Sequence, residues 1–350
     1  MNKAKTVLFL YTEIAEYFLA CARNLVKEGL EIHIVRFPIN KEAPFHFPEN
    51  NDLKLYNRSD YDYKQMESLA DSINPDLIIC SGWIDKDYLK ICKKYFKKIP
   101  TVLTLDNHWK GNIKQKIATY LSPVFLLNRF SHCWVPGDKQ QQYAIKLGFK
   151  KNKIEKGFYC ADTDYFSNYY NKNIESKKKK FPKRFLYAGR YYEFKGLTDL
   201  WTAFVQLQEE NPNEWELWCL GTGNLKPIQH PKIKHFGFIQ PNEMDKFIAE
   251  TGVFVLPSRF EPWAVVIHEF ACSGFPIICS DAVGAAEKFV RNNENGFIFK
   301  HQDIHSIKNA LKKISFLSEK ELLEMGNKSH IISREITLDK WALTVQNFIK

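Results

Sequence analysis

Glu261 and Glu269 stand eight residues apart in the run RFEPWAVVIHEF. A carboxylate accepts several hydrogen bonds, so each can hold a vicinal diol such as that of a ribose or a hexose. Two at this spacing could hold two different sugars. The plainer alternative is a strand-end glutamate followed by an ordinary acid near a helix start, where the helix dipole favours negative charge. A second group, Gly189-Arg190-Tyr191-Tyr192-Glu193-Phe194-Lys195-Gly196, sets two cations between glycines. Arg offers a planar fork that fits phosphate oxygens, and Lys a compact charge. Its alternative is a surface turn with two solvated cations. Between the two groups lies Gly221-Thr222-Gly223, which by itself requires only a tight turn. Phe236-Gly237-Phe238-Ile239 follows, and its apolar edge could stack against a nucleobase.

The elements that must hold these residues can be read from periodicity. Val253 to Leu256 reads as a strand broken at Pro257-Ser258, followed by a helix carrying Glu269 in its first turns. The turn Ala271 to Gly274 and the run Phe275 to Cys279 give the next strand. Phe185 to Ala188 reads as a buried strand, with a helix over Leu197 to Gln208. Strand, glycine turn and helix start form a natural anion site, because free N–H groups and the helix dipole face the loop. Phe236 to Ile239 reads as a further short strand. In the first half, strands are expected at Thr6 to Tyr11, Glu31 to Phe37, Leu77 to Cys80, Thr101 to Leu105 and His132 to Val135, with a helix over Glu16 to Glu28 capped by Gly29. Such alternation predicts parallel, doubly wound sheets. At 350 residues the chain is too long for one ordinary core. Domains are expected at 1–166 and 184–335, joined by a polar linker at 167–183 that contains Lys177 to Lys180. The last helix, Leu338 to Ile349, carries an apolar stripe.

These motifs, with Gly284-Ala285-Ala286-Glu287 and Asn295-Gly296-Phe297 after them, stand in the order found in glycosyltransferase family 4. The chain resembles that family strongly over 185–300 and less over 1–165. The resemblance implies the α/β GT-B architecture: two Rossmann-like, doubly wound parallel-sheet domains with an interdomain cleft, and a C-terminal segment, 336–350, that crosses back onto the first domain. It implies a retaining hexosyltransferase that uses a nucleotide-sugar donor of unspecified base. Arg190 and Lys195 would neutralise the diphosphate, Glu269 would hold the ribose, and Glu261 a donor-sugar hydroxyl. Gly189, Gly221, Gly223, Phe238, Ile239 and Pro262 would line the donor. Backbone N–H groups from Trp263 and Ala264 to Val265 and Val266 would contact sugar or phosphate. The family loop usually reads Glu-Pro-Phe-Gly, where this chain has Trp263-Ala264. The family's N-terminal glycine turn is replaced by Thr12-Glu13-Ile14-Ala15-Glu16. Its histidine after an N-domain strand aligns with Asp106, with His108 two residues on, and either would meet the donor sugar. No cofactor or metal is expected, since the two cations take a metal's place and no Asp-x-Asp pair occupies a suitable loop. The leaving phosphate would take the acceptor's proton. The acceptor would be a glycan or a lipid-linked sugar, in cell-surface polysaccharide or lipopolysaccharide biosynthesis. A non-hydrolysing nucleotide-sugar epimerase and a non-catalytic partner subunit are the rival classes.

Charge adds a partner. Between Lys86 and Lys156 stand sixteen cations against four carboxylates, a net of +12 where the whole chain is +10. Lys110, Lys114 and Lys116 are interleaved with Trp109, Ile113, Ile117, Tyr120 and Leu121. A basic helix with an apolar side suits an anionic membrane surface, with 86–130 as the docking segment. The alternative is a solvated lysine face over a stripe that packs into the core. No nucleic-acid motif accompanies the charge. Eight scattered cysteines without a Cys-x-x-Cys pair suit neither a zinc site nor a disulfide framework. The apolar run after Lys5 is too short for a signal or a span. A cytoplasmic location, at the inner face of the membrane, is the expectation.

Overall fold

Short, wholly apolar runs alternating with helices are what a sheet covered on both faces requires. The computed structural model describes residues 4–38 and 52–350, so residues 1–3 and 39–51 of the expected first domain lie outside the described residues. Within them the chain forms two separate parallel sheets. It divides into one unit reaching Cys160 and including Leu338–Lys350, and a second of Ala161–Thr337.

The first unit runs β1 (Thr6–Leu10), α1 (Glu16–Lys27), β2 (Glu31–Arg36), β3 (Lys54–Asn57), α2 (Tyr63–Ile73), β4 (Leu77–Ser81), α3 (Lys86–Tyr95), β5 (Thr101–Thr104), α4 (Ile113–Phe125), β6 (His132–Val135), α5 (Asp138–Lys146) and β7 (Ile154–Lys156). Its sheet order is β3-β2-β1-β4-β5-β6-β7. β1, β4 and β5 are buried almost throughout, as central strands must be. β3 and β7 are short outer strands with exposed residues, which is why no apolar run announced them.

The second unit runs α6 (Thr163–Lys179), β8 (Arg184–Ala188), α7 (Leu197–Glu210), β9 (Glu216–Leu220), β10 (Ile233–His235), α8 (Asp245–Glu250), β11 (Val253–Leu256), α9 (Val265–Cys272), β12 (Ile277–Ser280), α10 (Ala286–Phe289), β13 (Gly296–Phe299), α11 (Ile304–Phe316) and α12 (Glu319–Ser333). Its sheet order is β10-β9-β8-β11-β12-β13. The final helix, α13 (Leu338–Ile349), belongs to the first unit and packs on α1. Trp341 donates its indole N–H to the Phe158 carbonyl at 2.6 Å and lies 4.8 Å from the Trp134 ring.

Two expectations are corrected. Residues 167–183 are not a polar linker but lie largely in α6, which Asp162 caps by accepting from the Tyr165 N–H at 3.1 Å. Phe166 and Tyr169 recur at helical spacing with the buried Lys177 and pack this helix against α8, α9 and α12. The lysine run masks that narrow stripe. The Lys177 ammonium lies 3.9 Å above the Phe275 ring, and burial lowers its pKa to about 7. The second correction concerns Phe236 to Ile239. The strand is Ile233–His235, and the chain turns away at Gly237, which has φ +74°.

Candidate functional site

In the second sheet the strand order reverses between β8 and β11. Loops leaving neighbouring strands at such a point run in opposite directions and leave a crevice beyond the carboxyl ends. The β8 loop carries Gly189 to Gly196, and the β11 loop carries Pro257 to Ala264. Backbone packs on backbone here. Gly189 N–H donates to Leu220 O at 3.0 Å, Tyr191 N–H to Thr222 O at 2.8 Å and Gly221 N–H to Gly237 O at 2.6 Å. Gly221 has φ +129°, and a Cβ there would sit 1.9 Å from the Gly189 carbonyl oxygen. Gly196 has φ +70°, and a Cβ would sit 2.0 Å from the Pro257 carbonyl oxygen. Only glycine satisfies both the dihedral and the distance. The Gly223 backbone bridges to Tyr191.

The turn at Glu193–Lys195 therefore rests directly on the β11 loop, and it carries Lys195 to Glu261. The two side chains form an ion pair in which both are about five-sixths shielded, at 17% and 14% exposure. The Ser258 hydroxyl lies 3.4 Å from the same carboxylate. Sequence reasoning aimed Lys195 and Arg190 at one anion. In the structure the Lys195 ammonium pairs with Glu261, and the left-handed Gly196 folds the turn back across the β11 loop. Arg190 is half-buried, and its carbonyl accepts the Tyr187 hydroxyl at 2.9 Å.

One supporting residue escaped the sequence reading. Arg259 makes a bidentate pair with Asp199 of α7, at 2.8 and 2.7 Å, and also pairs with Glu193. Its N–H donates to Phe194 O at 2.8 Å. This clamp ties the cation turn to the loop bearing Glu261. An Arg two residues before a glutamate gives no hint of a partner sixty residues away, so no local signal exposed it.

Glu269 lies on α9 beyond that loop, and its side chain is half-buried. Burial raises its pKa to about 7, and the Asp162 carboxylate adds to the rise. A carboxylate held this way gains from any ligand hydroxyls that solvate its charged form. Its neighbour His268 is fully buried. Its Nδ1 accepts from the Ala161 N–H at 3.1 Å and its Nε2 donates to Ser333 O at 3.0 Å, which fixes one neutral tautomer. Burial lowers its pKa to about 4. Ala264 takes φ +80° at the start of α9, where the resemblance leads one to expect glycine. Trp263 is buried edge-on against Phe289 at 6.3 Å, so its indole serves packing. Pro262, Val265, Val266, Phe238 and Ile239 are half-buried around the same end of the sheet.

Asp106 and His108 belong to the first unit, after β5. Asp106 accepts from the Tyr159 hydroxyl at 3.2 Å. Tyr159 also meets Tyr17 edge-on at 5.8 Å, and burial raises the pKa of both Tyr11 and Tyr159. His108 has its pKa lowered by burial and by Lys110 and Lys139. Among the described residues no group of three or more His, Cys, Asp or Glu stands close enough to share a metal ion.

Residues 171–329 match the family described as glycosyl transferases group 1. A lipopolysaccharide core biosynthesis glycosyltransferase, LpsE of Rhizobium meliloti, is 28% identical over 135 residues, which are 36% of this chain and 37% of that protein. The chain spans about half the length of the first curated relatives it matches. A glycosyltransferase from Rickettsia africae superposes with a TM-score of 0.74 at 14% identity, over 99% of this chain and 98% of that one. Anabaena HepE, solved in complex with UDP and glucose, superposes with a TM-score of 0.71 at 14% identity, over 97% and 98%. Two Rossmann-like units, parallel sheets and these likenesses agree: the chain has the GT-B fold, and its residues 171–329 match the group 1 glycosyl transferases.

Proposed function

We propose that the second unit binds a nucleotide sugar and that the protein transfers the sugar, with retention, to a hydroxyl of a glycan or lipid-linked acceptor. The observation that carries this reading is the meeting of Lys195 and Glu261 at the switch point of the second sheet, on glycines that admit no side chain. A cation and a carboxylate from the two flanking loops suit a ligand that is a phosphate at one end and a polyol at the other. Arg190 and Lys195 are assigned to the diphosphate, Glu261 to a hydroxyl of the sugar and Glu269 to the ribose. Phe238 and Ile239 are assigned to the base, and the N–H groups from Trp263 to Val266 to sugar or phosphate.

In the reaction the bond from the sugar's anomeric carbon to the phosphate oxygen breaks, and a bond to the acceptor oxygen forms. Negative charge grows on the departing phosphate. Fixed cations stabilise such charge without reorganising at the moment of reaction. The acceptor's proton passes to the departing phosphate oxygen. The solved complex of HepE with UDP and glucose supports the donor class, and the likeness to LpsE supports an acceptor in surface-polysaccharide or lipopolysaccharide assembly. The first unit is assigned the acceptor, with the enzyme at the inner face of a membrane.

Calorimetry with a panel of nucleoside diphosphates tests the assignment. Lys195→Ala should weaken diphosphate binding by about tenfold to a hundredfold, the worth of one charge-assisted hydrogen bond. Glu261→Gln should leave diphosphate affinity within about threefold and lower turnover instead. Unchanged diphosphate affinity in Lys195→Ala would overturn the site. Conversion of the donor alone into an isomeric nucleotide sugar would favour an epimerase.

A further inference from the structure

Helix α4 is built inside out. Thirteen large apolar residues are exposed among the described residues, and six of them, Ile113, Ile117, Tyr120, Leu121, Val124 and Phe125, lie on this one helix. Ile113, Tyr120 and Val124 are 76%, 84% and 68% exposed. Their spacing puts all six on one face. The opposite face is polar or small, and it is the face turned to the protein. The buried Ser122 donates its hydroxyl to Leu147 O. Gln115 accepts from the N–H groups of Lys110 and Gly111, at 2.6 and 3.1 Å, and donates to His108 O at 2.8 Å. Ala118 packs against the core of the first unit. These bonds fix the helix's rotation, so the apolar face cannot roll inward without breaking them.

Charge identifies what covers that face. From Asn107 to Gly137 the chain has no Asp or Glu and carries Lys110, Lys114, Lys116 and Arg129. Lys114 and Lys116 are exposed and flank the apolar stripe on either side, and neither has a carboxylate partner among the described residues. On the preceding helix two of the four lysines are paired: Lys90 with Asp87, and Lys94 with Asp71 and Glu67. A second copy of this chain would set two such positive faces against each other. A bilayer with anionic headgroups satisfies both the stripe and the lysines. Among the described residues no helix is long and apolar enough to cross a membrane, so the helix would lie in the plane of the interface.

We infer that α4 is a membrane-docking element whose Ile113, Ile117, Tyr120 and Val124 enter the headgroup region while Lys114 and Lys116 meet anionic lipid. The docking stands apart from the donor reading. Only the further statement, that it brings the first unit to a lipid-borne acceptor, rests on the proposed function.

Flotation of the full chain with vesicles tests this, using phosphatidylcholine alone and phosphatidylcholine with about one-third phosphatidylglycerol. The parent should bind the anionic vesicles at low salt and release as salt rises, since screening sets in within about 10 Å at moderate ionic strength. Changing Lys110, Lys114 and Lys116 together to Gln should lower the partition roughly a hundredfold. Ile117→Ser with Val124→Ser should lower it by about tenfold or more. Since these side chains are exposed, both variants should melt with the parent and bind nucleoside diphosphate as the parent does. Failure to bind anionic vesicles at low salt overturns the docking. So does binding that both variants retain, or an α4-dependent dimer that excludes vesicles. Loss of diphosphate binding in the parent would count against the donor reading alone.

Discussion

The carboxyl edges of the two sheets are built by different means. In the second sheet, loop backbone packs directly on loop backbone: Gly221 against Gly189, Gly196 against Pro257 and Gly223 against Tyr191. In the first sheet, side chains meet. Thr12 and Ser81 hydroxyls lie 3.2 Å apart, Tyr159 donates to Asp106, and Tyr11 stacks on Phe18 at 4.1 Å. A backbone-built edge tolerates varied side chains nearby but admits no added Cβ at its contacts. A side-chain-built edge has the opposite tolerance. The contrast explains why motifs marked one edge and not the other, and it can be broken by experiment.

The largest effect is expected from one substitution made in both places. Gly221→Ala should cost more than about 3 kcal/mol, because the Cβ would collide with main chain that cannot turn aside. Gly82 follows β4 in the first sheet, has φ +68°, and has nothing within 4 Å of the Cβ position. Gly82→Ala should cost only about 1 kcal/mol, from the left-handed dihedral. Denaturant unfolding of both variants measures the difference, and equal losses would break the contrast.

An intermediate effect should appear in the pH dependence of α9. The Glu269 carboxyl is raised from 4.5 to about 7, so the folded chain binds its proton more tightly than the unfolded chain. That contribution is full below 4.5 and is lost as pH rises towards 7. His268 is lowered from 6.5 to about 4, so its contribution is full above 6.5 and is lost as pH falls towards 4. The two slopes oppose each other across most of the same window. Glu269→Gln should therefore expose a fall in stability on acidification below 6.5. His268→Gln should expose a fall on alkalinisation between 4.5 and 7. Each can reach about 1.4 kcal/mol per pH unit, and Glu269, being only half-buried, should fall short of that. Parallel stability profiles in the parent and both variants, from melting between pH 4 and 8, would refute this.

The smallest effect concerns left-handed residues that are not glycine. Asn74 ends α2 at φ +50°, a conformation Asn tolerates, whereas Ala264 begins α9 at φ +80°. Ala264→Gly should relieve about 1 kcal/mol of strain against a similar loss through the freer unfolded chain, leaving stability within about 0.5 kcal/mol of the parent. Asn74→Gly lacks that relief and should be slightly destabilising. A loss above about 1 kcal/mol in Ala264→Gly, read from chemical denaturation, would show that the backbone is not strained there.

Legibility followed the same division. Glu261, Lys195 and the Gly221 turn could be picked out because their neighbours in sequence are their neighbours at the sheet edge. Arg259 could not, since its meaning depends on Asp199, brought in from another helix. Residues 167–183 misled because a run of lysines outweighed two aromatics and a buried Lys177. Phe236 to Ile239 misled because apolar content suggested a strand where Gly237 turns the chain.

Helices α4 and α13 draw the boundary most clearly. Both carry an apolar stripe of helical period, and the residues alone determine that each stripe exists. On α13 the stripe is covered: Trp341, Val345 and Phe348 are buried, with Trp341 against Trp134. On α4 it faces outward, because Ser122 and Gln115 hold the polar side to the protein. Period is a local property of the chain, so sequence determines it. What covers a stripe depends on groups brought from far along the chain, such as Leu147 for Ser122 and Phe158 for Trp341, and only the tertiary structure decides that.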